Sequence, residues 1–323
     1  MNRPIPDIPT IPVLAQAGHA VALIEKSSVV CVGTFDGVHC GHQAIIARGR
    51  ELADATGLPL WILSFHPHPK SIVHPEITPH LLTEPDERVA LFAHYGADGA
   101  VVQHFDAAFA AQSAEEFAQR VLADSLRAAA VVVGADFRFG HDRQGTPEWL
   151  KAWGEKTGRR VDVIELQLEP GTAERIGSGP IRKIMEQGDF ARVLKLLGHP
   201  YPVTGEVVAG LARGREIGYP TWNLALSQVK LPPPVGVYAG WSFRPTPRPG
   251  MAYYGSNPTF GGVGPRLEIN ILSGTAEDRT PRHPTECFWL TDFIRPEAHF
   301  ATADELKRQL ADDERVVRLR LGV

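Results

Sequence analysis

The run GTFDGVHCGH, residues 33–42, sets His39 and His42 three positions apart around Gly41. Imidazoles at this spacing can donate to phosphate oxygens, ligate a metal, or pack into a core. The flanking sequence bears on the choice. SSVVCV, just upstream, is a short apolar strand candidate. QAIIARGRELADATG, just downstream, sets Ala44, Ile45, Ala47, Leu52 and Ala53 on one helical face, with Gly57 as a stop. The two histidines therefore fall at a strand-to-helix turn, where unpaired helix amides attract anions. Gly37 and Gly41 permit a tight turn and close ligand approach. This context points to a nucleotide phosphate, with His39 and His42 stabilising charge during nucleotidyl transfer. A zinc reading would need Asp36, His66 or His68 to converge on them, which sequence does not show; a purely structural role also stays open. A terminal G-K-[ST] is absent, so this is not a Walker A loop, and the dinucleotide G-x-G-x-x-G fingerprint is absent too.

Three further stretches carry chemical groups. IGSGPIR, residues 176–182, puts Ser178 before a helix with Pro180 in its first turn, and Arg182 is placed to neutralise a phosphate. GREIGYPTWNL, residues 214–224, offers the Thr221 hydroxyl and the Asn223 carbonyl as oxygen ligands for magnesium. Gly214 and Gly218 leave room there for a phosphate loop. A plain turn beside a strand is the competing reading. RLEINIL places Glu268 in an otherwise apolar strand, and a buried carboxylate demands a partner or a job. It is read either as a general base or as an exposed strand residue.

These groups need a scaffold, and the first half supplies an alternation. SSVVCVGTF, LPLWILSF, VVQHF, AAAVVVGADF and GRRVDVIELQ read as strands. Between them lie helices, among them ERVALFAHYGAD and the serine-capped SAEEFAQRVLADSL. This βαβ spacing predicts a Rossmann-like parallel sheet covered on both faces. Gly33-Thr34-Phe35, Phe65-His66-Pro67 and Gly134-Ala135-Asp136 then share the carboxyl edge, where ligands of open α/β sheets bind. A helix after Gly188-Asp189 carries Phe190, Val193, Leu194 and Leu197 on one side. After Pro202 come VTGEVVAG, GVYAGWSF, GMAYYGS, RLEINIL and TECFWLTDF, the spacing of a small antiparallel barrel. A final helix is expected from Thr302, with Glu305 completing a capping box and Leu306, Leu310 and Val317 facing inward. Two domains are expected, 1–184 and 185–323.

Composition agrees with two cores, since 323 residues at 43% hydrophobic suffice for both. A formal charge of -4 gives no broad attraction for nucleic acid or an anionic membrane, so small-molecule partners are expected. Cys31, Cys40 and Cys287 make neither a disulfide framework nor a C-x-x-C site. With no clean signal peptide and no apolar run of transmembrane length, the expected setting is cytoplasmic. Oligomeric state is not legible. Trp61, Trp149, Trp153, Trp222, Trp241 and Trp289 are dispersed and read mostly as packing residues.

Taken in order, these strings resemble the bacterial bifunctional riboflavin kinase/FMN adenylyltransferases, or FAD synthetases. GTFDGVHCGH, FHPHP and VGADFRFGHDRQG resemble that family's adenylyltransferase loops. PTWN, NPTFGG, RLEINIL and FIRPEAHF resemble its kinase motifs. The resemblance covers most of residues 29–318. It implies ATP and riboflavin or FMN as substrates, with Mg²⁺ as cofactor. It implies that His39, His42 and Arg182 serve adenylyl transfer, and that Glu268 is the kinase base with Thr221 and Asn223 at the metal. A nucleotide and flavin pocket is implied from Gly33, Phe35, Asp36, Gly41, His66, Gly134, Asp136, Phe137, Ser178, Gly214, Asn257, Arg295 and Glu297. Asp136 is alternatively a turn cap, Phe137 a core residue, and Arg295 with Glu297 a local ion pair. Three departures stand out. IGSGPIR replaces the family's I-S-S-T-x-I-R, Asn270 stands where E-x-H-L-L-x-F has histidine, and the acidic D-L-Y-G-like stretch that follows in the family is not recognisable in SGTAEDRTPRHPTECFW. Two alternatives are a divergent enzyme keeping only kinase activity or using altered substrates, and a non-catalytic flavin- or nucleotide-binding protein.

Overall fold

The computed structural model describes residues 10–16, 24–209, 218–243, 246–255, 265–272, 280–281 and 283–323. The expected site residues Gly214 and Asn257 lie outside the described residues. The chain divides into two compact units between Ser178 and Gly179.

The first unit is built on parallel strands β1 (Val13–Gln16), β2 (Ser28–Val32), β3 (Leu60–His66), β4 (Gly99–His104), β5 (Ala128–Gly134) and β6 (Arg160–Ile164), in the order β1-β4-β3-β2-β5-β6. Every residue of β2 is buried, as the continuous apolar run SVVCV requires of a central strand. From β2 the chain winds outward through β3 and β4, then returns to build β5 and β6 on the other side. The order therefore reverses at β2, which makes the carboxyl ends of β2 and β5 the edge where open α/β sheets bind ligands. β1 was hidden from pattern reading by its proline-rich lead-in; it pairs with β4 from Val13 opposite Ala100 to Gln16 opposite Gln103.

Helices α1 (Cys40–Thr56), α2 (Pro69–Val73), α3 (Pro85–His94), α4 (Ala107–Ala110), α5 (Ala114–Glu116) and α6 (Pro147–Thr157) connect the strands. α1 ends at Gly57 in the left-handed region, as the sequence suggests. α6, which the strand–helix reading left out, starts on the Thr146 side chain and ends at a left-handed Gly158. The SAEEFAQRVLADSL helix begins on a Ser113–Glu116 capping box but widens to π-helical turns over Phe117–Ser125. The Ser125 hydroxyl there donates to the Arg120 carbonyl.

The second unit opens with α7 (Ser178–Glu186) and α8 (Phe190–Leu197). Asp189 caps α8, and Phe190, Val193, Leu194 and Leu197 are all buried. Strands β7 (Tyr201–Val208), β8 (Trp222–Leu226), β9 (Gly236–Ser242), β10 (Arg248–Gly255), β11 (Arg266–Ile271) and β12 (Thr285–Arg295) form a closed antiparallel barrel in the order β10-β11-β8-β7-β12-β9. The terminal helix α9 (Ala303–Leu321) lays Val317 and Leu310 against Val237, Ala239 and Met251. Thr302 caps it as expected, but the Glu305 carboxylate reaches back to the Ala301 N–H rather than to that of Thr302. Among the described residues no helix is long and apolar enough to cross a membrane.

Candidate active sites

The turn between β2 and α1 is held open by backbone that side chains rarely adopt. Phe35, Gly37 and Val38 have φ of 52°, 84° and 37°, and a β-branched residue in that region is strained by about 1–3 kcal/mol. Buried neighbours hold it there. The Asp36 carboxylate, 1% exposed, accepts from the Thr83 N–H at 3.0 Å, and the Thr83 hydroxyl accepts from the Gly37 N–H at 2.8 Å. The Phe35 ring is fully buried, edge-on to both His42 and Phe92. It is a floor beneath the turn.

His39 caps α1: its Nδ1 and its carbonyl both accept from the His42 N–H. A neutral ring whose Nδ1 accepts carries its proton on Nε2, so His39 is set in the tautomer that donates away from the helix. The His39 and His42 rings stack with centroids 3.6 Å apart and planes 18° from parallel. Two imidazolium ions cannot occupy that arrangement. Burial, and then the charges of His39 and Arg88, hold the His42 pKa well below its ordinary value. His42 Nδ1 is buried without a hydrogen-bond partner. Gly41 has no room for a side chain that left His39 in place, since a Cβ would sit 3.2 Å from that ring.

The rest of this edge follows the topology. His66 ends β3, before a cis peptide bond to Pro67, and its Nδ1 is also buried and unpartnered. Burial and the charge of Arg88 lower its pKa. Gly33 follows β2 and Gly134 ends β5, on neighbouring strands of this edge. Asp136 is exposed and pairs with Arg175 at 2.9 Å. Phe137 is partly buried and stacks on Phe139, so its ring joins the core cluster. Ser178 donates to the Asp36 carbonyl at 2.8 Å, which ties the surviving serine of IGSGPIR to the histidine turn. Arg182 lies one turn further along α7, on the other side of the unit boundary. Among the described residues no three His, Cys, Asp or Glu side chains gather as a cation site, which leaves the zinc reading without a ligand set.

The barrel brings a second group together by register. Asn223 on β8 stands opposite Glu268 on β11, which stands opposite Tyr253 on β10. Tyr253 in turn faces Val237 on β9, and Val237 faces Arg295 on β12. Residues directly opposite share a face, so one row collects the expected base, one expected metal ligand and Arg295. Asn223 is buried, whereas the Glu268 side chain keeps 27% of its surface exposed. Partial burial raises the Glu268 pKa, and Arg266, 3.7 Å away, moderates the rise. Glu268 is thus neither of the extremes read from sequence: it is a half-buried carboxylate with a cation beside it.

Arg295 and Glu297 do not pair with each other. Arg295 forms a bidentate bond to Asp313 of α9 at 2.7–3.0 Å, and Asp313 also accepts from Gln309. The Tyr253 hydroxyl donates to Glu297. Thr221 is exposed just before β8, two residues from Asn223, the spacing that returns to one face of an extended chain. Asn270, the departure from histidine, is buried and donates to the Pro220 carbonyl at 2.8 Å, fixing the PTWN stretch against β11.

Sequence reading missed Arg88, Thr83, Tyr253 and Asp313. Arginine and aspartate within charged helical runs read as surface, and nothing in ERVALFAHY or LADDERVV marks one member as buried.

Comparison with known proteins follows the same division. The sequence model of the family described as FAD synthetase matches residues 22–178, and that described as riboflavin kinase matches residues 197–321. The bifunctional riboflavin kinase/FMN adenylyltransferase of Escherichia coli K12 is 35% identical, over 93% of this chain and 94% of its own. That of Pseudomonas fluorescens is 33% identical, over 94% and 96%. A crystal structure described as that of a macrolide-efflux protein from Streptococcus pneumoniae superposes with a TM-score of 0.79 at 31% identity, over 95% of this chain and 99% of that one.

Proposed function

The chain belongs to the bacterial bifunctional riboflavin kinase/FMN adenylyltransferase family, and from that premise we propose how its residues divide the two reactions. The parallel-sheet unit makes FAD, and the barrel makes FMN.

In the first unit an FMN phosphate oxygen attacks the α-phosphorus of ATP, the bond to the bridging oxygen breaks, and pyrophosphate leaves. His39 and His42 donate to the phosphate oxygens on which negative charge builds. The observation that supports this is the stacked imidazole pair at the head of α1, at the point where strand order reverses. Gly33, Gly41 and Gly134 leave space for nucleotide, while Phe35 and Asp36 hold the turn from beneath. His66, Asp136 and Phe137 line the remaining edge. Ser178 anchors the loop that leads to Arg182, the cation that the family resemblance assigns to adenylyl transfer.

In the barrel, Glu268 takes the proton of the riboflavin 5′-hydroxyl as that oxygen attacks the γ-phosphorus of ATP and ADP leaves. Its raised pKa suits the task, since a more basic carboxylate is a better acceptor and partial exposure lets it meet substrate. Thr221, Asn223 and Glu268 offer only oxygen donors, the set a hard cation takes, so Thr221 and Asn223 fit Mg²⁺. Bound there, Mg²⁺ would offset phosphate charge. Arg295, held by Asp313, and Glu297, held by Tyr253, form a prepared rim for flavin.

Separate assays of the two half-reactions, with product identification, test this. A His39→Ala/His42→Ala double variant should lose FAD formation and keep FMN formation. Glu268→Ala should lose FMN formation and still adenylylate supplied FMN. Equal loss of both activities in either variant, with the fold intact, would sink the division.

A further inference from the structure

Arg88 sits on α3, carries a full charge, and is only 2% exposed. Its Nη1 donates to the Thr34 carbonyl at 2.7 Å, the Ser64 hydroxyl at 2.9 Å and the Phe65 carbonyl at 3.2 Å. Ser64 itself donates to the Thr34 carbonyl at 3.0 Å. One nitrogen thus binds the chain just beyond β2 to the end of β3, the two strands that deliver the histidine turn and His66.

Two carboxylates, Asp36 and Glu87, act on its charge without touching it. Among the described residues no carboxylate forms an ion pair with the guanidinium, and Nε is buried without a hydrogen-bond partner. The nearest acids are occupied elsewhere: Asp36 accepts from Thr83, and Glu87 accepts from the Glu84 N–H. A buried cation whose counter-charges stand off and are bonded elsewhere is disfavoured unless something else requires it. A polyphosphate substrate would bring further negative charge to this edge.

We propose that Arg88 is a positioning residue for adenylyl transfer, clamping the ends of β2 and β3 and supplying a fixed positive charge beside His42 and His66. The inference rests on the reading of His39 and His42 as phosphate donors. The groups facing this charge are His39 and His42 on the turn and α1, His66 on β3, His104 on β4, and Asp36, Glu84 and Glu87. Burial first, and then the charge of Arg88 among others, lowers the pKa of both His42 and His66, which favours neutral donor rings as pH falls. Removing the charge must raise both values and move the acid limb of adenylyl transfer to higher pH.

The test uses the full chain with Arg88→Met and Arg88→Lys. Riboflavin kinase activity, which belongs to the other unit, reports folding. FMN adenylyltransferase is measured across pH, and the His42 ring is titrated by NMR. Arg88→Met should keep kinase activity within about twofold, lose about tenfold or more in adenylyltransferase kcat, and show His42 and the acid limb both moved to higher pH. Arg88→Lys should hold the pH profile near that of the parent but recover only part of kcat, because an ammonium cannot reproduce the planar fork. An unchanged adenylyltransferase rate in Arg88→Met, or a lost rate with the His42 titration unmoved, would overturn the proposal. If Arg88→Met does not fold, Arg88→Lys decides: full parental kcat removes the clamp. An active His39→Ala/His42→Ala variant would instead remove the reading beneath it, whatever Arg88 does.

Discussion

The Ser178 hydroxyl donates to the Asp36 carbonyl at 2.8 Å, joining positions 142 residues apart in sequence. IGSGPIR has glycines at 177 and 179, so this is the one side-chain hydroxyl left to the loop. Ser178→Ala should therefore be felt at the histidine turn. The expected loss is about 1 kcal/mol of stability, together with a fall in FAD formation while FMN formation holds. Thermal unfolding and paired assays check both.

Glu268 gives a pH prediction. Its pKa is raised by burial, so kinase kcat/KM should fall as acid protonates the base at a higher pH than an exposed glutamate would require. Arg266 opposes that rise, so Arg266→Met should move the acid limb further up. The stability sign is opposite to that of an ion-paired carboxylate. A raised folded pKa contributes stability below the unfolded value, and this is lost as pH rises through the folded value. At neutral pH, Glu268→Gln should thus abolish kinase activity without lowering Tm. A fall in Tm measured by calorimetry would contradict that sign.

Asn270→Ala should leave the Pro220 carbonyl without its partner and loosen the stretch carrying Thr221 and Asn223. The expected cost is about 1–3 kcal/mol, with a higher KM for ATP–Mg²⁺ in the kinase assay alone. An unchanged KM would show that the amide merely fills the site.

The Arg295–Asp313 pair couples the barrel to α9. Asp313 is 2% exposed, so Asp313→Ala leaves a guanidinium facing a buried gap and should cost about 3–5 kcal/mol. Riboflavin KM should rise with it if Arg295 belongs to the flavin rim. Chemical denaturation followed by barrel tryptophan fluorescence, beside riboflavin titration, checks the two effects.

Much of this architecture was legible because burial on both faces forces apolar continuity. SVVCV, LWILSFH and AAAVVVG announce central parallel strands, and Gly57 ends a helix by supplying a left-handed residue. β1 was not legible: four residues behind prolines have too little pattern, and their pairing with β4 is a tertiary fact. Within the sites, His39, His42 and Glu268 were marked by residue type set against an unusual background. Arg88 was not, because a charge inside an amphipathic helix is indistinguishable from a solvated one until the strand ends it touches are in place. Arg295 shows a related limit. An ion pair was conceivable from FIRPEAHF, but its partner comes from a helix that only folding brings alongside.

Among the described residues the parallel sheet ends on β6, with no further strand on its outer side. Arg160 and Asp162 sit there, bonded to one another, with Arg48 of α1 also on Asp162. A fixed charge pair on a short rim strand makes docking by another chain's strand unfavourable. Neutralising the three should therefore leave turnover intact at low concentration and shorten the time the enzyme stays clear of precipitate when concentrated.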